Sequence, residues 1–196
     1  RYLDDRTIAG PPDIVLSYFQ KIIENFQPLG LKINPNKCEL FYLSEEDLSV
    51  TSQFESLSPG IKIIADKLEL LGSPITEAAF SDTFSRKLKE LNLLFERVKD
   101  LNCHTGYYLL KHCLAIPKLI YFLRSSQLWK YNEEIQSIDA EIKNTIQHIF
   151  NCELDDMKWS LSSLPVRFGG AGIRKVQDIA LPAFLSSVYS TKLLVN

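Results

Sequence analysis

Between Leu68 and Leu101 the chain reads LELLGSPITEAAFSDTFSRKLKELNLLFERVKDL, and its hydrophobic period changes part-way through. Up to the Gly72-Ser73-Pro74 stop the pattern is that of a short strand, Leu68 to Leu71. Beyond it Phe80, Phe84, Leu88, Leu91, Phe95, Val98 and Leu101 recur at steps of three and four residues, which sets them on one face of a long helix. The switch divides the chain into an α/β part, residues 1–75, and an all-helical part, residues 76–196. The fold class it predicts is α+β.

Towards the N-terminus, Ile61–Ile64 reads as a second short strand and Lys37 to Leu43 as a third, after an Asn34-Pro35-Asn36 turn. Ile14, Val15, Tyr18, Phe19, Ile22, Ile23 and Phe26 mark an amphipathic helix from Asp13 to Gln27, with Pro12 just before it and Gly30 just after. Ser44 to Gly60 is polar, acidic and Ser-rich and reads as a surface insertion, with room for one helical turn capped by Ser44 with Asp47. Towards the C-terminus a helix is predicted from about Thr105 to Arg124, bending or breaking near Pro117. A third follows from about Asn132 to Asn151, with Ile135, Ile138, Ile142, Ile146 and Ile149 on one side. The loop LPVRFGGAGIRK then leads to a last helix from about Val176 to Leu194.

The chain has 196 residues, 45% of them hydrophobic and 23% charged, with a mean hydropathy of −0.05. That is the composition of an ordinary globular domain and excludes disordered and fibrous classes. The longest apolar runs are too short to span a membrane, so no membrane partner is expected. The chain starts at Arg1 within a strand pattern and without a basic-then-apolar leader. We therefore expect a fragment of an intracellular protein, nuclear or cytoplasmic. Cys38, Cys103, Cys113 and Cys152 are widely and irregularly spaced, which suits free thiols in a reducing compartment.

The net charge of −2 conceals an asymmetry: residues 1–83 carry 7 basic and 13 acidic side chains, residues 84–130 carry 9 and 3, and residues 131–196 carry 6 and 8. An acidic part followed by a basic helical part is what a metal-binding site beside a phosphate-binding surface would produce, although solvated helix faces often carry such excesses. Asp4 and Asp5 are the first candidates for chemistry. Adjacent carboxylates at a strand corner can hold a hard divalent cation, and paired cations clamp the attacking and leaving oxygens of a phosphoryl transfer. Tyr-x-Asp-Asp alone is a weak signal, equally served by a turn in which Asp5 caps a backbone amide.

Several motifs follow in order: Tyr2-Leu3-Asp4-Asp5, the amphipathic helix, Gly30-Leu31-Lys32-Ile33-Asn34-Pro35-Asn36-Lys37-Cys38, then Leu70-Leu71-Gly72-Ser73-Pro74-Ile75. This series resembles the C-terminal half of the palm of reverse transcriptases, most closely those of non-long-terminal-repeat (LINE-type) retrotransposons. The remainder is similar to their thumb and post-thumb region: Pro117-Lys118-Leu119-Ile120-Tyr121-Phe122-Leu123-Arg124, Leu164-Pro165 with Phe168-Gly169-Gly170-Ala171-Gly172-Ile173, and Ala180 to Ser187. The resemblance covers nearly the whole chain. It implies a partial polymerase palm of short antiparallel strands plus one helix over 1–75, and a helical thumb and post-thumb region over 76–196.

The implied activity is RNA-directed DNA polymerisation, in which an RNA template and DNA primer duplex is extended with deoxynucleoside triphosphates. The resemblance assigns the Mg²⁺ (or Mn²⁺) ligands to Asp4 and Asp5 and places Tyr2 near the primer end. It places Lys37 near the incoming phosphates, where it neutralises developing charge or protonates pyrophosphate. Leu71-Gly72 matches the hairpin that grips the primer. Arg86, Lys87 and Lys89, with Arg97, Lys99, Lys111, Lys118, Arg124 and Lys130, fall on the thumb that follows the duplex backbone. A third palm aspartate and the fingers would precede Arg1, so this chain alone is expected to be catalytically silent. Two rival readings are a non-catalytic helical module, left from a decayed or repurposed retroelement, that binds nucleic acid or protein, and a translated remnant without a selected role.

Phe84, Phe95, Tyr107, Tyr108, Tyr121 and Phe122 are mostly at core spacing and read as packing rather than as base-stacking platforms. Cys103-His104 and His112-Cys113 tempt a zinc reading, but a helix over 105–113 would hold the pairs roughly 13 Å apart along its axis. Gly169-Gly170-Ala171-Gly172, flanked by Arg167, Arg174 and Lys175, reads as a tight turn docking the last helix rather than as a phosphate cradle. Asp155-Asp156 reads as a solvated acidic pair.

Overall fold

Two prolines and a carboxylate set the start of the first helix. The computed structural model describes residues 6–195, and the chain forms two compact units, Arg1–Asp66 and Lys67–Asn196. In the first unit α1 spans Pro12–Phe26. Its Pro12 enters in the first turn, where a missing N–H costs nothing, and Asp13 meets the positive end of the helix dipole. The chain then tightens into a 3-10 turn at Gln27–Leu29 and stops at Gly30, whose φ of 70° is left-handed.

Strand β1 (Glu39–Phe41), helix α2 (Leu48–Leu57) and strand β2 (Lys62–Ile64) complete this unit. β1 and β2 pair in parallel, Glu39 opposite Lys62 and Phe41 opposite Ile64. The expected antiparallel arrangement is corrected here, because α2 supplies the crossover that a parallel pair needs. α2 also corrects the reading of 44–60 as a surface insertion with a single turn capped by Ser44. Asp47 caps it, accepting from the N–H groups of Ser49 at 3.0 Å and Val50 at 3.2 Å. Val50, Thr51 and Phe54 are buried, and the Phe54 ring lies 5.6 Å from Phe19 of α1. No residue of α1 is fully buried, and Ile14 and Tyr18 of its apolar stripe are exposed.

The second unit opens with an antiparallel hairpin, β3 (Glu69–Leu70) and β4 (Ser73–Pro74), with Leu70 opposite Ser73. Only Leu71 (φ 50°) and Gly72 (φ 80°) join them, and two left-handed residues make a type I′ turn. Glycine adopts this conformation freely, whereas leucine there costs about 1 kcal/mol. Then come α3 (Glu77–Lys99), α4 (Cys103–Leu109), a π turn (Leu110–Leu114), α5 (Ile116–Ser125), α6 (Asn132–Phe150), α7 (Asp156–Ser163) and α8 (Val176–Val195). α5 packs on α8, α3 on α6, and α6 on α8. The core between them takes Phe80, Leu91 and Phe95 from α3, Leu119 and Phe122 from α5, all five stripe isoleucines of α6, and Val176 and Ala180 of α8. Phe80 lies face to face with Tyr131 at 3.8 Å.

The helix over 105–124 is broken near Pro117, as its sequence requires. The chain widens into the π turn and breaks at Ala115, whose ψ is −106°. Pro117 therefore sits in the first turn of α5, where its absent N–H does no harm. The start of α8 is fixed from a neighbouring helix. The carboxylate of Asp139, on α6 and only 8% exposed, accepts the Val176 N–H at 2.6 Å and the Gln177 N–H at 3.1 Å. Burial pushes this carboxyl above its ordinary range, and the two N–H donors oppose the rise. Among the described residues no helix is long and apolar enough to cross a membrane.

Candidate nucleic-acid interface

The short stem of the β3–β4 hairpin leaves its turn in solvent and turns its acid inward. Leu71 is exposed while Ser73 and Pro74 are buried. Glu69 lies beneath the turn and is held by α3: Arg86 Nη2 donates to its two carboxylate oxygens at 2.6 and 2.8 Å, and the Thr83 hydroxyl donates at 3.0 Å. The Arg86 guanidinium holds the Glu69 carboxyl below the usual carboxylate range. Ser73 Oγ donates to the Ser125 carbonyl at the end of α5, 3.1 Å away. These ties carry the hairpin with the helices, and the chain divides into its compact units between Asp66 and Lys67, before the hairpin. They also bring Leu71 and Gly72 into the same unit as Arg86, Lys87 and Lys89. Lys37 lies in the other unit, exposed at the end of a 3-10 turn, Pro35–Lys37, that Asn34 caps through the Asn36 N–H. Tyr2, Asp4 and Asp5 lie outside the described residues.

The outer face of α3 is less cationic than its sequence suggests. Arg86 is paired with Glu69 at 2.6 Å, Lys87 with Glu90 at 3.5 Å, and Lys99 with Glu96 at 2.6 Å. Lys67 takes Asp82 at 2.7 Å. Asp82 and Glu90 share a shallow depression with Arg86 and Lys89. Lys89 and Arg97 are exposed cations of α3 with no ion pair among the described residues. Helix α5 supplies the cleaner row: Lys118, Tyr121 and Arg124 recur every three residues, all three are exposed, and neither cation has an acidic partner among the described residues. Tyr121 and Tyr108 correct the packing expectation, being 50% and 60% exposed. Phe84, Phe95 and Phe122 are core residues.

The glycine loop is a docking turn, built from its own backbone. Gly170 N–H donates to Pro165 O, Ala171 N–H to Ser162 O at 2.9 Å and Gly172 N–H to Leu164 O at 2.8 Å, so these amides are spent internally. A Cβ on Gly170 would strike the Leu164 carbonyl oxygen and come within 2.7 Å of Leu161 O. The Tyr107 hydroxyl donates to the Ala171 carbonyl, and Lys111 Nζ donates to Ala171 O at 3.0 Å and to Tyr107 Oη at 2.9 Å. Nothing local in the sequence marks this tie, since its partners are sixty and more positions apart. Asp139 left a faint trace, a lone acid on an isoleucine stripe.

Among the described residues no three His, Cys, Asp or Glu side chains gather as a metal-holding group. All four cysteines are unpaired, Cys38 half-buried and the other three exposed. Burial pushes the Cys38 thiol up. Asp155 is exposed but is more than a solvated acid: it caps α7 by accepting the Lys158 N–H at 2.8 Å, which holds its carboxyl down.

Over 181 residues, 91% of its length, the chain is 23% identical to the retrotransposable element SLACS 132 kDa protein of Trypanosoma brucei gambiense. It spans 15% of the length of that relative. The similarity supports a retrotransposon origin. No family model matches the chain, and no solved structure matches it.

Proposed function

We propose that this chain is the C-terminal palm and the thumb of a non-long-terminal-repeat retrotransposon's RNA-directed DNA polymerase, acting within a longer protein. The observation that carries this reading is the match along 91% of the chain to a retrotransposable-element protein, taken with the ordered palm and thumb motifs. The two-residue turn at Leu71–Gly72 supports it, because Gly72 offers backbone without a side chain to a primer strand that approaches closely. So do the unpaired cations Lys89, Lys118 and Arg124, which suit sequence-independent phosphate contacts. Arg86 and Lys87 contribute less, being engaged by Glu69 and Glu90.

In this reading Asp4 and Asp5 hold Mg²⁺ (or Mn²⁺), which when bound orients the deoxynucleoside triphosphate and stabilises charge on its phosphates. Lys37 offsets charge on the departing pyrophosphate, and Tyr2 packs by the primer end. The test is primer extension on an RNA template by the longer parent protein, with and without Asp4→Ala. We expect extension in the parent and none in the variant. The 196-residue chain alone should bind an RNA–DNA duplex with an affinity that falls steeply with salt, without extending it. Duplex binding indifferent to salt sinks the thumb assignment, and a parent that binds but never extends leaves a binding module.

A further inference from the structure

We propose that the cavity between the π turn and the glycine loop is a subsite for a nucleic-acid backbone phosphate, an assignment that rests on the nucleic-acid reading above. The cavity measures about 260 Å³ and is walled by Lys111 and His112 of the π turn, Ala115 and Pro117 at the head of α5, and Ile173 and Arg174 of the loop. Three nitrogen-bearing side chains of basic character thus meet around an apolar floor, and among the described residues no carboxylate lines the space. An anion placed there faces positive charge across a wall that screens poorly.

The amine of Lys111 is positioned rather than merely present. Two of its three protons go to Ala171 O and Tyr107 Oη, which leaves one for a ligand. Those bonds run to the backbone and to a tyrosine, so its charge is not cancelled. Gly172 preserves the placement: a Cβ there would lie 2.9 Å from Lys111 Nζ. The π turn is the local irregularity that puts Lys111 and His112 at the cavity, and such turns recur at functional positions. The amides of Gly169, Gly170, Ala171 and Gly172 are used internally, so the side chains of Lys111, His112 and Arg174 carry the charge that holds the anion. A backbone phosphate fits better than a free one because Pro117, in the wall, adjoins Lys118, which begins the unpaired row continued by Tyr121 and Arg124.

The test uses the isotope-labelled 196-residue chain with three probes: inorganic phosphate, a deoxynucleoside monophosphate and an RNA–DNA duplex. Phosphate should shift the amide resonances of Lys111, His112, Ile173 and Arg174 saturably, and the duplex should displace it. Arg174→Gln, at an exposed position, should weaken phosphate binding about tenfold with little change in melting. Gly172→Ala keeps every charge but displaces the Lys111 amine, and should weaken it comparably. Folded variants that bind phosphate like the parent overturn the subsite, as do shifts spread over all surface lysines. A monophosphate that binds more tightly than the duplex overturns the backbone assignment. Lys89→Gln separates the two proposals, since it should weaken the duplex and leave the phosphate footprint intact. If no α3 or α5 variant affects the duplex while the footprint stands, the thumb reading fails and the subsite survives.

Discussion

Replacing Asp139 tests how the helical unit holds its last helix. In Asp139→Ala the N–H groups of Val176 and Gln177, now 2.6 and 3.1 Å from carboxylate oxygens, lose their acceptor, the first at a buried residue and the second at an exposed one. The stranded Val176 donor costs about 1–3 kcal/mol and the lost Gln177 bond to a charged acceptor, within reach of water, about 1 kcal/mol; relief from burying a carboxylate offsets part of this, which leaves a net loss of about 2 kcal/mol. For a unit of this size that lowers the melting temperature by about 5–10 °C. Both tryptophans, Trp129 and Trp159, lie in the Lys67–Asn196 unit, so intrinsic fluorescence in urea reads this unit alone. Asp139→Asn adds the pH test. Burial raises the folded-state pKa of Asp139, so the native state binds the extra proton. The side chain's contribution is therefore full below the ordinary carboxylate pKa and declines as pH rises through the raised value. The stability difference between parent and Asp139→Asn should shrink from about pH 4 towards neutrality. A difference that grows over that range would mean the two donors outweigh burial and would refute the reasoning, as would an Asp139→Ala chain as stable as the parent.

Three further outcomes follow from the same structure. Gly170→Ala should cost at least about 3 kcal/mol by the same urea assay, because its Cβ meets two backbone carbonyls. Gly169→Ala, open all round but at φ 82°, should cost only about 1 kcal/mol. Leu71→Gly should raise stability by up to about 1 kcal/mol by relieving the left-handed leucine, and a loss of stability would show that Leu71 packs on something. Glu69→Gln should change stability by no more than about 1 kcal/mol, since Arg86 is more than half exposed, yet it should tighten duplex binding at low salt by freeing a cation, as read by fluorescence anisotropy.

The long helices were legible because periodicity and burial coincide in them. Five of the six stripe positions that fall in α3, Phe80 to Val98, are buried, as are all five isoleucines of α6, whereas Leu101 lies beyond the helix and is exposed. Helix α2 was missed because its ten residues carry only Val50, Phe54 and Leu57 as an apolar face, among serines that favour loops. The Asp47 cap and the Phe19 contact decide it. The parallel β1–β2 pairing is a tertiary event between strands of three residues, too short to declare partners. At the candidate interface the sequence supplied the cations but not their neutralisation, because Glu69 and Arg86 stand 17 positions apart. The helix break expected near Pro117 falls two residues before it, at Ala115, which leaves the proline ring harmless in a first turn. Ala115 and the π turn carry no residue signature.

That π turn bears on how the chain can change in length. An α-helix rotates about 100° per residue, and the extra residue in Leu110–Leu114, together with the break at Ala115, sets the phase between Gly106, facing Ile149, and Leu119, Phe122 and Leu123 in the core. Deleting one residue there would swing the α5 side chains a quarter-turn or more, bringing Lys118 or Tyr121 inward. Substitutions leave the phase intact, whereas a single-codon indel does not. Cys152 and Glu153, exposed and outside any helix, can gain or lose a residue without rotating a core face, so length differences among relatives should collect there and avoid 110–114.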